Sequence, residues 1–243
     1  LGAGTLLAKN LTIHLGPQLR RFIDEGWPVL GICNGFQALV RAGLLPDPED
    51  TSYEHLIASL TNNASAQFEC RWVTLFPLDS PCLFTRGIKH PIELPVAHGE
   101  GQFVLADSAL LARLQAEKQV PIVYTMITRR ASPSPAAPTF SPTSMPSPYP
   151  ANPNGSVGNV AGICNARGNV FGLMPHPERY VQSIQHPQRR GNRGGGDGLL
   201  IFKNAFDYVN AMLESGNNAM REKDGRATAR VPSQPDTSPA LTM

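Results

Sequence analysis

Cys33 stands in the run Gly31-Ile32-Cys33-Asn34-Gly35-Phe36-Gln37, and that setting is one for a nucleophile. Trp27-Pro28-Val29-Leu30 enters the run as a short apolar strand, and Phe36 to Ala42 leaves it as a helix. A cysteine at a sharp strand-to-helix turn, with glycine two residues before and two after, is a nucleophile elbow. The glycines let the backbone turn tightly and leave room around the sulfur. The turn also puts the sulfur at a helix N-terminus, where the dipole and free N–H groups favour thiolate. Gly-Ile-Cys-Asn recurs at 162–165 and serves as an internal control. Cys164 ends a strand, precedes a hairpin turn and lacks both the helix and the Gly-x-Gln continuation. It reads as a small core residue.

A thiolate nucleophile needs a base, and the base needs an orienter. Pro175-His176-Pro177-Glu178 supplies both. Pro177 disfavours helix at His176, so the segment is expected to be extended. Residues two apart in extended chain face the same way, which brings Glu178 to the His176 imidazole. There it would fix the tautomer and stabilise imidazolium. His98-Gly99-Glu100 is a competing pair. Zinc deaminase chemistry would require a following Pro-Cys-x-x-Cys, which neither His-x-Glu has. No other His/Cys cluster has metal-ligand spacing, so no metal is expected. There is no Gly-x-x-x-x-Gly-Lys-Ser/Thr phosphate loop, and Gly2-Ala3-Gly4 lacks the third glycine of a dinucleotide fingerprint. No ATP site or other cofactor is expected in this chain.

These groups need elements to hold them. Residues 6–23 carry Leu7, Leu11, Leu15, Leu19 and Phe22 at helical spacing, with Gly26 as the stop. The strand at 27–32 and the helix at 34–42 frame the elbow. Residues 68–76, 92–97 and 120–127 read as strands, and 108–117 as a short helix. Residues 160–164 and 169–174 form a hairpin across Asn165-Ala166-Arg167-Gly168. Leu199, Phe202, Phe206, Val209 and Leu213 line one face of a last helix. Strands alternating with helices give an α/β class. Residues 129–149 are rich in Pro and Ser and read as an insertion without a buried element. Residues 191–198 read as a glycine loop. The expected domain spans 1–216. Residues 217–243, polar and without an apolar period, are expected to be a disordered tail.

The 243 residues suffice for one α/β domain, and the net charge of +2 calls for neither nucleic acid nor membrane. No apolar run is long enough to span a bilayer. Four cysteines without a Cys-x-x-Cys pair do not make a disulfide framework, which points to a reducing, cytoplasmic setting.

The elbow taken with Pro175-His176-Pro177-Glu178-Arg179 resembles the class I (triad) glutamine amidotransferases. Further support lies in Gly43-Leu44-Leu45-Pro46, Phe68-Glu69-Cys70-Arg71-Trp72, His98-Gly99-Glu100-Gly101 and Asn152-Pro153-Asn154-Gly155-Ser156. The resemblance implies a three-layer flavodoxin-like α/β fold and hydrolysis of glutamine to glutamate and ammonia. Cys33 would attack the side-chain amide to form a thioester. His176 would protonate the departing ammonia and later activate water. Glu178 would orient His176, and the Asn34 N–H would form half of the oxyanion hole. Gln37, Arg71 and His98 would bind substrate. The resemblance is closest to the branch that feeds ammonia to an ATP- and Mg-using synthetase, which makes formylglycinamidine ribonucleotide with a small bridging subunit in the complex.

In that family a strand-helix region and a Gly-rich loop, which donates the other oxyanion N–H, precede the position of Leu1. The expectation is that the first strand or strands of the fold lie upstream. Two alternatives stay open on sequence: another Cys-His-Glu hydrolase of the same fold, such as a peptidase-like relative, and an inactive homologue that only binds the synthetase.

Overall fold

The computed structural model describes residues 2–46, 57–126, 147–188 and 195–228. The first helix, α1, runs Gly2–Asp24, and Gly26 leaves it with a positive φ of 92°. Strand β1 (Val29–Ile32) leads through Cys33 into α2 (Asn34–Arg41). Then come β2 (Ala58–Thr61), β3 (Glu69–Pro77), β4 (Ile92–His98) and β5 (Gln102–Leu105). Helix α3 (Ser108–Ala116) is capped by Asp107, whose carboxylate accepts from the Ala109 N–H. Strands β6 (Ile122–Thr125), β7 (Val160–Cys164) and β8 (Val170–Leu173) precede the last helix, α4 (Leu199–Thr228).

Six strands form one sheet in the order β1-β8-β7-β6-β3-β4, and β2 pairs with β5 in a separate antiparallel ribbon. Only β1 and β8 run parallel, with Ile32 opposite Leu173; the other pairs in the large sheet are antiparallel. The sheet curls. Although β4 is at the far end from β1, the Pro95 carbonyl of β4 accepts a hydrogen bond from the His176 N–H, just beyond β8. This α/β arrangement is that of a flavodoxin-like class I glutamine amidotransferase fold.

Helix α2 sits closely on the strands below it, and two paired glycines, Gly31 of β1 and Gly172 of β8, allow this. A Cβ on Gly172 would lie 2.0 Å from the Phe36 ring, and one on Gly31 would lie 2.5 Å from Leu39 and 2.7 Å from the Gly35 backbone. Phe36 stacks on Phe103, centroids 6.2 Å apart. With Leu39, Val40, Leu60, Val123, Ile163, Val170 and Met174 it forms the core on that face, and α1 packs over α2. Side chains alternate across a strand, so Phe171 points the other way and packs on Phe84, centroids 5.8 Å apart. Both faces of the sheet are therefore covered, and every residue of β7 and β8 is buried.

Several sequence expectations are changed by the structure. Strands β2 and β5 were not expected. Each has four residues and exists through pairing with the other, Leu60 opposite Phe103. The strand expected at 92–97 includes His98. The last helix continues to Thr228, past the expected start of a disordered tail at 217. Ala219, Met220, Arg221, Glu222 and Lys223 are good helix formers and extend it without an apolar period. Most of the insertion, residues 127–146, and residues 189–194 of the glycine loop lie outside the described residues, as do Asp47, Pro48 and residues 229–243. No helix among the described residues is long and apolar enough to cross a membrane.

Candidate active site

Parallel pairing of β1 and β8 puts their C-terminal ends side by side. Cys33 follows β1 directly, and its N–H donates to the Leu173 carbonyl of β8 at 2.8 Å. His176 lies three residues beyond Leu173. Two chain segments far apart in sequence thus deliver a thiol and an imidazole to one end of the sheet, outside the carboxyl ends of neighbouring strands, where open α/β sheets place their sites.

Cys33 has φ 53° and ψ −105°, a left-handed φ that a residue with a Cβ rarely adopts. The strain is held by the Cys33 N–H bond to β8 and by the Gln37 N–H, which donates to the Cys33 carbonyl at 3.1 Å. Gly31 is needed for the close approach described above. Gly35 is not, because a Cβ there would meet nothing within 4 Å. Partial burial pushes the Cys33 thiol above its ordinary range. The Asn34 N–H and the Arg179 charge pull it down, and the Glu178 charge pushes it up. Burial dominates, so the helix N-terminus alone does not hold a resting thiolate, and the sulfur needs a base. Asn34 follows the sulfur as the elbow reading requires, its N–H directed at Cys33.

His176 and Glu178 come together as expected but by a different backbone. His176 is non-helical, with φ −105° and ψ 89°. Residues Pro177–Arg179 then form a 3-10 turn instead of the expected extended chain. Proline disfavours helix at the residue before it yet is preorganised for the first helical position itself. The turn leaves Glu178 Oε1 2.6 Å from His176 Nδ1. A carboxylate there accepts the Nδ1 proton and leaves Nε2 as the basic nitrogen. That Nε2 is buried and makes no hydrogen bond among the described residues. The next residue but one, Tyr180, is buried and packs edge-on against Trp72, and Trp72 packs against His186. This aromatic group fixes the segment after Glu178.

The three expected substrate-binding residues are placed differently from one another. His98 is buried at the end of β4, close enough to His176 for the two imidazoles to repel as charges, and burial holds it neutral with a pKa of about 4. Gln37 is buried and donates from Nε2 to the Glu100 carbonyl at 2.6 Å, tying α2 to the loop after β4. Arg71 pairs with the buried Glu69 at 2.7 Å and lies over the Tyr149 ring, 4.7 Å from its centroid. Glu69 faces His98 across β3 and β4, so Arg71 reaches the site through Glu69.

Sequence reasoning missed Tyr124 and Asn63. Tyr124 is fully buried on β6, its hydroxyl accepts from Asn154 Nδ2 at 3.1 Å, and the Cys33 charge acts on it. The Asn152–Ser156 run is thus tied to Tyr124 through Asn154. Asn63 binds the loop after β4. Neither side chain carries a local spacing signal. Cys164 is fully buried, beside Cys82 and 3.5 Å from Ser80 Oγ, as its hairpin context implied. Among the described residues no group of three or more His, Cys, Asp or Glu side chains is placed to hold a metal ion.

The profile of the CobB/CobQ-like glutamine amidotransferase domain matches residues 1–209. The phosphoribosylformylglycinamidine synthase subunit PurQ of Dehalococcoides mccartyi is 42% identical over 213 residues, covering 86% of this chain and 74% of that one. The PurQ subunit of Methanococcus maripaludis is 38% identical over 221 residues, covering 86% and 75%. Among solved structures, PurLQS from Thermotoga maritima matches with a TM-score of 0.57 and 28% identity, over 86% of this chain and 73% of that one.

Proposed function

We propose a function on one premise: the chain belongs to the glutamine amidotransferase family, in its PurQ branch. It hydrolyses glutamine and supplies the ammonia for synthesis of formylglycinamidine ribonucleotide in purine biosynthesis. One observation carries the reading. A thiol on a strained elbow and a carboxylate-oriented imidazole leave the same end of two hydrogen-bonded parallel strands.

In the proposed reaction His176 Nε2 takes the Cys33 proton as the sulfur attacks the glutamine carboxamide carbon. The Asn34 N–H stabilises the oxyanion. His176, now imidazolium and paired with Glu178, gives its proton to the departing nitrogen, which leaves as ammonia. A thioester remains on Cys33. Water attacks it while His176 takes a proton, glutamate leaves, and the proton returns to the sulfur. Arg179 adds positive charge near the sulfur and favours its ionised form in flight. The side chains of Gln37 and Arg71 act as struts around the pocket.

The chain itself carries no cofactor in this reading. ATP and Mg belong to the synthetase that receives the ammonia, and a small bridging subunit completes the complex. The setting is cytoplasmic. The test uses the chain together with its synthetase. Glutamate and ammonia should form stoichiometrically from glutamine, and a chloroketone analogue of glutamine should alkylate Cys33 and spare Cys70, Cys82 and Cys164. No glutamate, or label placed elsewhere, overturns the reading.

A further inference from the structure

Asn63 follows β2, is buried, and spends its whole amide on the end of β4 and its neighbours. Its Nδ2 donates to the Gln67 carbonyl and to the His98 carbonyl, each at 2.8 Å. Both partners are acceptors only, so the amide orientation is set by chemistry. Its Oδ1 then accepts the Gly101 N–H at 3.0 Å and faces His98 Nδ1 at 3.1 Å. An amide oxygen can only accept, so a hydrogen bond at this contact needs the proton on Nδ1. The neutral imidazole has one N–H, and Nε2 is left with a lone pair.

That Nε2 is buried and makes no hydrogen bond among the described residues. A buried acceptor without a donor is costly, about 1–3 kcal/mol, and marks a place where a donor is meant to arrive. The surroundings of the ring tie it to the site. Gly101 packs against it, Gln37 ties the following loop to α2, and Pro95 of the same strand holds the His176 N–H.

We propose that Asn63 is a positioning residue that locks His98 in the Nδ1–H tautomer, so that Nε2 serves the site only as an acceptor for an N–H group. The inference rests on the glutaminase reading for the identity of that group. The glutamine carboxamide and the ammonia it becomes are the N–H donors of the reaction. A donor at the same place would compete with these groups; an obligate acceptor receives them. Charged and titratable groups facing the ring are Glu69 from β3, which favours imidazolium, and His176 from the segment after β8, which opposes it.

The lock is read first on the wild-type chain by long-range proton–nitrogen correlation on 15N-histidine protein, with His98 assigned by comparison with His98→Gln. His98 should be neutral at pH 7 and protonated on Nδ1. An Nε2–H tautomer overturns the proposal, whatever the enzyme's activity. Asn63→Asp then puts a carboxylate against Nδ1, which raises a histidine pKa by about one to three units. The variant should show His98 imidazolium near pH 6. Its glutaminase kcat/KM at pH 6 should fall about ten-fold relative to pH 8, beyond any change in wild type. A pH profile parallel to wild type, in a folded variant whose His98 does become charged, overturns the acceptor role. If Asn63→Asp does not fold, the wild-type tautomer decides. Loss of all wild-type glutaminase activity would count against the proposed function and leave the tautomer result intact.

Discussion

Gly172→Ala tests whether the seat of α2 sets the position of the nucleophile. The new Cβ would lie 2.0 Å from Phe36 Cδ2, with further ring atoms at 2.6 and 2.8 Å. Carbon pairs sit comfortably at about 3.5–4.0 Å, so the ring must retreat by more than an ångström. It has no free direction, because Phe36 is wholly buried and stacked on Phe103. Overpacking of a tight core costs about 1–3 kcal/mol, and the upper part of that range is expected here. Phe36 is the third residue after Cys33, so a shift of the ring drags the elbow with it. A displacement near 1 Å in a catalytic group can cost about a hundred-fold in rate. Urea unfolding and glutaminase turnover, measured with the synthetase, should therefore both fall. Phe36→Ala, which removes every clashing ring atom, should make the double variant lose less than the sum of the two single losses, with a coupling of about 0.5–3 kcal/mol. Gly172→Ala at wild-type stability and turnover would refute the reasoning. So would a double variant whose losses merely add.

Three further outcomes are expected. Cys33→Ala abolishes glutamate formation while Cys164→Ala keeps it, a contrast read by glutamate assay on variants of matched secondary structure; equal losses would remove the distinction between elbow and hairpin cysteine. Glu178→Gln keeps a hydrogen-bond partner for Nδ1 but not the charge, and lowers kcat by about ten- to ten-thousand-fold, the upper figure being that of a fully buried triad acid; Glu178 is 44% exposed, so the lower half of the range is expected. His98 adds an acid-sensitive element to stability. Its folded pKa of about 4 lies below the ordinary 6.5, so the unfolded chain binds the proton first. Above about pH 6.5 neither state is charged. Stability is lost as pH falls from there to about 4, by up to roughly 3 kcal/mol. Unfolding curves of wild type and His98→Gln should converge or cross on acidification; parallel pH dependence would rule this out.

The elbow cysteine and the carboxylate-paired histidine were legible because their signals are local. A glycine-flanked cysteine between an apolar strand and a helix, and a histidine between two prolines, each announce a backbone turn within a few residues. The β7–β8 hairpin was legible for the same reason. The ribbon of β2 and β5 was not. Gln102–Leu105 and Ala58–Thr61 are too short for periodicity to register, and their pairing joins positions over forty residues apart. The geometry at Glu178 was right in outcome and wrong in backbone, since Pro177 keeps His176 out of the helical region and itself begins a helical turn. Asn63 was invisible for a deeper reason: its worth lies in four side-chain contacts to three residues, Gln67, His98 and Gly101, and no spacing of residue types advertises that.

The β1–β8 pairing also governs when the site comes into being. Asn169, just before β8, donates to the Ile23 carbonyl 146 positions earlier and to the Trp27 carbonyl 142 positions earlier, fastening the two strand starts together. Helix α1, strand β1 and helix α2 are near neighbours in sequence and can associate early. Strand β8 must close a loop of most of the chain before it docks, the kind of contact that forms slowly. Until then the segment that carries His176 is not held at the Cys33 end of the sheet. On the proposed roles, hydrolysis of glutamine is expected to be the last property to return during refolding, after the helical signal has recovered.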